Sequence, residues 1–154
     1  MRLAHLGLGV DLPTGWDGRI YRRTPATGGE VTHPVLHAAN FALPEERGDF
    51  GSGAVDLMRV QHAFVALVEY DAESARTPLF ARPGFPLRLT ADAFAPNQLQ
   101  RALPGQAGVQ RFFSERGRAF CLYVVVGNYL ARATLLPQVN AMLSTLQVDL
   151  VTPS

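Results

Sequence analysis

The chain has 154 residues, 47% of them apolar and 18% charged, with a net charge of +1. That size and balance exclude a disordered chain and one too small to bury a core, since such a domain buries about two thirds of its unfolded surface. Fourteen basic residues, all arginine, are spread along the sequence without a stripe. This argues against nucleic acid as a partner, because phosphate neutralisation needs clustered cations. No run of eighteen apolar residues is present, so no membrane insertion is expected. The opening "MRLAHLGLGVDLP" has a short apolar stretch interrupted by His5 and ended by Asp11, unlike a secretory signal, and a cytoplasmic location is expected. A single cysteine, Cys121, excludes an internal disulfide and a multi-cysteine zinc site.

Residues 1–154 read as one domain. "GLGVDL" (7–12) and "GRIYRR" (18–23) are two short strands around the turn "PTGWDG", and "PVLHAANFAL" (34–43) is a third. "EERGDFGSGAVDLM" (45–58) is a loop ending in a short helical turn. "AFVALVEY" (63–70) and "RAFCLYVVVG" (118–127) are strong strands with apolar residues at both parities. Side chains alternate with period two, so each of these strands must be covered on both faces. "GVQRFFS" (108–114) joins the second of them as a hairpin through "ERG", with Gly117 at the turn.

Two helices are expected. "PNQLQRAL" (96–103) opens at Pro96 and closes before "PG". "TLLPQVNAMLSTLQV" (134–148) places Leu135, Leu136, Val139, Met142, Leu143 and Leu146 on one stripe, with Thr134 as cap and Pro137 in the first turn. Gln138, Asn140 and Thr145 form its uncharged opposite face. The expected class is α+β: a mainly antiparallel sheet with helices packed on its faces.

This order of elements carries a resemblance. "LPTGW", the run of strands, the "FSERGRAFCLY" hairpin and the terminal "VNAMLSTLQV" together resemble the Mog1/PsbP-like α-β-α sandwich family over roughly residues 8 to 149. The resemblance implies an α/β/α sandwich and a non-catalytic binding or accessory domain, and it implies no catalytic residue.

The chemistry-bearing residues yield no complete catalytic set. His33 and His37 stand four apart in "HPVLH", but Pro34 favours an extended backbone, which separates them by roughly 13 Å. They are expected at an edge or in a loop. Glycine pairs at 7/9 and 51/53 lack the third glycine of a dinucleotide fingerprint, and a chain without lysine has no P-loop. No cofactor is therefore expected. "DFG" (49–51) lacks the other kinase motifs. Cys121 could pair with His37 or His62 as a nucleophile, yet its apolar flanks predict a buried, inert thiol. Ser52 lies outside any nucleophile elbow, and Asp11, Asp17, Glu45 and Glu46 read as solvated loop charges. Glu69 interrupts an apolar strand and is expected to pair with Arg111 or Arg118.

Trp16 is expected to plug one end of the sheet, its indole N–H bonded to backbone. Arg22 and Arg23, being adjacent, point to opposite faces. The candidate partner-binding residues are Trp16, Arg22 and Arg23, with Asp49 and Phe50 of the long loop, because Trp and Arg are enriched at binding hot spots. The expected function is a non-catalytic protein-binding or accessory module of a multiprotein assembly. Two alternatives stand beside it. One is a small-molecule binder or weak hydrolase with a pocket between sheet and terminal helix, floored by Cys121 or Glu69. The other is a structural subunit of a homo-oligomer.

Overall fold

The computed structural model describes residues 1–23 and 25–150. Within them are the strands β1 (Arg2–His5), β2 (Leu8–Asp11), β3 (Asp17–Arg22), β4 (Pro34–Ala39), β5 (Ala63–Tyr70), β6 (Ala107–Glu115), β7 (Arg118–Val126) and β8 (Gln147–Val148). The helix α1 covers Arg132–Leu143. Five strands form an antiparallel sheet in the order β3-β4-β5-β7-β6, and β1-β2-β8 form a smaller antiparallel sheet.

β7 runs down the interior, every one of its residues buried, as two apolar parities require. One face of the large sheet presents Val65, Leu67, Leu122 and Val124. It packs under β2, α1 and the extended segment that carries Leu87, Leu89 and Phe94. The other face presents Phe64, Ala66, Val68, Tyr123 and Val125, and is covered by Leu43, Val55, Phe50, Leu99 and Leu103. The sheet is thus sandwiched as its apolar faces demand, but the second cover is irregular chain.

That finding corrects the expected fold class. The described residues form a mostly antiparallel β protein with two sheets and one twelve-residue helix, not an α/β/α sandwich. The covering segments carry Pro44, Pro78, Pro83, Pro86, Pro96 and Pro104, with Gly48, Gly51, Gly53 and Gly84 between them. Proline removes a helical N–H and clashes with the preceding turn, so these stretches form single turns only. The helix expected over 96–103 is one such turn, Pro96–Gln98, after which Leu99 is extended.

Other boundaries move for equally local reasons. α1 begins at Arg132, so Pro137 lies inside it and Thr134 does not cap it. It ends at Leu143, where the Ser144 and Thr145 hydroxyls donate to the carbonyls of Ala141 and Met142. The chain then extends as β8 and pairs with β2. "GLGVDL" and "GRIYRR" do contain strands, β2 and β3, but in different sheets. β2 pairs instead with β1, through a two-residue turn at Leu6 and Gly7, both at positive φ. Asn140, expected on a free polar face, clamps the backbone of Leu89 through both its amide atoms, at 2.9 Å each.

Candidate functional site

The five candidate binding residues do not share a surface. Trp16 is buried in the core cluster that also holds residues of β2 and α1, and among the described residues its indole N–H has no hydrogen-bond partner, so the expected backbone bond is absent. Arg22 is exposed at the end of β3, while Arg23 pairs with Glu30 at 2.7 Å. Asp49 and Phe50 lie on the opposite face of the sheet from Trp16. Phe50 meets the Tyr123 ring edge-on, 5.7 Å between centroids.

Asp49 belongs to a buried network rather than a site. Its carboxylate accepts from the Tyr21 hydroxyl at 2.7 Å, and its backbone carbonyl lies 2.7 Å from His37 Nε2. Arg47 Nε donates to His37 Nδ1 at 2.7 Å. With a donor at Nδ1 and a carbonyl at Nε2, the ring is the neutral Nε2–H tautomer. Burial pushes the His37 pKa down to about 4, and burial raises that of Tyr21. Both ring nitrogens are committed, which leaves none for proton transfer or a metal. His37 is fully buried on β4, not the edge or loop residue expected. The network fixes the 45–51 loop on the sheet.

Cys121 and Glu69 lie on opposite faces. Cys121 sits between Val68 and Phe112 on neighbouring strands, wholly buried, its thiol pushed up to about 12 by burial. Glu69 pairs with Arg118 on the other face. The grooves beside α1 are lined by residues of 85–91 and by α1 side chains such as Leu136 and Asn140, so neither Cys121 nor Glu69 floors them.

What the sequence does not reveal is the outer edge of β6. In an antiparallel strand alternate residues direct N–H and C=O to one neighbour. The hairpin register assigns the outward set to Gly108, Gln110, Phe112 and Ser114. Gly108 exchanges both bonds with Ala95, at 2.9 and 3.1 Å. Ser114 N–H donates to the Arg82 carbonyl at 3.1 Å. Gln110 N–H donates to Gln98 Oε1 at 3.2 Å. Among the described residues Phe112 alone of the four keeps both its outward groups free.

These tethers make the 78–98 segment a strap that crosses the edge twice and encloses a cleft of about 950 Å³ against β6. Gly84 lets the strap lie directly on the Phe113 ring, where any Cβ would collide. Below it, Phe80 and Phe112 meet edge to face at 5.6 Å, with Tyr70 beside them. Arg82, Arg111 and Asp92 also line the cleft. Arg111 donates to the Arg88 carbonyl at 3.2 Å. Among the described residues neither Arg82 nor Arg111 has a carboxylate partner. The Thr90 hydroxyl holds the Asp92 carboxyl below the usual range, so Asp92 is ionised at neutral pH. Two guanidinium groups thus face one carboxylate around an open backbone edge.

No family model, curated protein or solved structure matches the chain, so the reading of this site rests on its own geometry.

Proposed function

We propose that the protein is a non-catalytic binding module of a multiprotein assembly, and that a partner protein docks at the strapped edge of β6. The observation that carries this reading is the Phe112 backbone, left unpaired in a cleft where each outward neighbour has a partner. Exposed sheet edges are hazards that proteins usually cover. This edge is covered at both ends and open in the middle, which suits a site for main-chain recognition. The three groups whose protonation is shifted most, His37, Tyr21 and Cys121, are locked in packing away from the cleft, which supports binding rather than catalysis.

The test compares two space-filling variants. Ala93→Trp fills the cleft, and Ala141→Trp fills the groove beside α1. Tagged forms of both, checked for folding by circular dichroism, are used to capture partners from native lysate. A stoichiometric partner kept by Ala141→Trp and lost by Ala93→Trp is the expected result. Loss in Ala141→Trp alone would move the docking surface to α1, and a second copy of the chain as the captured species would make the protein a homo-oligomer subunit.

A further inference from the structure

Resting on that docking reading, we infer that the occupant of the cleft is a short extended peptide segment with an acidic side chain, added to β6 opposite Phe112.

The hydrogen-bond pattern sets the register. Gln98 already takes the Gln110 N–H, and Arg82 already takes that of Ser114. The free pair is the N–H and C=O of Phe112. An antiparallel neighbour satisfies such a pair with one residue, whose carbonyl accepts and whose amide donates. The same tethers set the length. Between the crossings at Gly108–Ala95 and Ser114–Pro83 the edge offers roughly 20 Å of strand, its two ends taken by the strap. About three residues therefore pair, which describes a short linear motif rather than a full strand.

The walls set the composition. Leu79, Phe112 and Phe113 supply apolar surface for the flanking side chains. Arg82 and Arg111, which have no carboxylate partner among the described residues, outnumber Asp92 in the lining of the cleft. A carboxylate on the segment gives a guanidinium its planar, two-point partner, the strongest ordinary charge-assisted contact. A basic segment meets two like charges instead, and an added guanidinium or ammonium leaves Asp92 as its sole partner.

The probes are two pools of labelled octapeptides, acetylated and amidated so that their termini carry no charge. Both have β-branched and aromatic flanks; one has central Asp or Glu, the other central Lys or Arg. Fluorescence anisotropy reads affinity, and amide hydrogen exchange by NMR reads the Phe112 N–H. The acidic pool is expected to bind about tenfold tighter than the basic one, the scale of one charge-assisted pair. Arg82→Ala with Arg111→Ala should erase that preference, since both side chains are exposed and leave the fold intact. Exchange at Phe112 should slow on adding the acidic pool. Equal binding of the two pools, or acidic binding with unchanged Phe112 exchange, overturns the inference. Should neither pool bind while Ala93→Trp still loses a captured protein, the peptide assignment falls and the docking reading survives. Should the acidic pool bind at Phe112 while Ala93→Trp keeps every partner, the docking reading falls instead.

Discussion

Glu69 and Arg118 form a two-point ion pair inside the protein, Nη2 to Oε1 at 2.6 Å and Nε to Oε2 at 2.9 Å. Their side chains are only 9% and 5% exposed. Arg118 also donates to the carbonyls of Leu6, Gly7 and Asp149. One side chain therefore joins the large sheet to the turn of the small sheet and to the segment after β8. The pair satisfies every charged atom it buries, and this is the condition under which a buried ion pair is tolerated.

Removal of one partner should consequently be costly. Arg118→Met strands a buried carboxylate and is expected to destabilise the fold by about 3–5 kcal/mol in urea titration. Glu69→Leu combined with Arg118→Met should cost clearly less than the two single changes summed. Strict additivity would show that the ion pair itself contributes nothing and that Arg118 acts only through its carbonyl contacts.

His37 makes stability depend on pH. Its folded pKa of about 4 lies below its ordinary 6.5, so the unfolded chain takes up the proton first on acidification. The contribution is fully present above about pH 6.5 and is lost as pH falls towards 4, at most about 3 kcal/mol in all. Urea midpoints at pH 7 and pH 4.5 measure it. His37→Gln should be less stable at pH 7 yet flatter between the two pH values. An unchanged slope in that variant would assign the acid sensitivity to other groups.

Cys121 should be chemically silent in the folded protein. With the thiol wholly buried and its pKa near 12, almost no thiolate is present at pH 8. Titration with an aromatic disulfide reagent should show no reaction natively and one equivalent in denaturant. Rapid native labelling would mean that the cover formed by Tyr70, Phe80 and Phe112 opens.

Leu6 carries avoidable strain. It sits at φ +53 beside Gly7 at φ +78, so both turn residues are left-handed, the geometry that favours Asn-Gly. Leu6→Asn keeps the backbone carbonyl that Arg118 uses and lowers the cost of the left-handed conformation by about 1 kcal/mol, because the short Asn amide can hydrogen-bond the local backbone there. A melting temperature higher by about 3 °C is expected from calorimetry. A lower one would show that the half-buried Leu6 side chain contributes more through packing than its turn geometry costs.

Sequence alone determined the features that repeat within a few residues. The two apolar parities of β5 and β7 required cover on both faces, and the x-Gly turn at Arg116 and Gly117 announced the β6–β7 hairpin. The apolar flanks of Cys121 predicted its burial, and the isolated Glu69 predicted an arginine partner among two candidates. Each follows from alternation or from the cost of burying charge, and both are local properties.

Tertiary structure decided the rest. It selected Arg118 over Arg111, put β2 and β3 in separate sheets, and sent Trp16 and Phe50 to opposite sides of the large one. The 96–103 segment, whose pattern suggested a helix, became a single turn at the end of the strap over β6, followed by extended chain. The candidate site is the outward N–H and C=O of Phe112, and a backbone group has no sequence signature. Whether it is paired or open depends on strand order and on where residues 82, 95 and 98 come to rest. Those are long-range outcomes of packing, to which no local pattern in the chain refers.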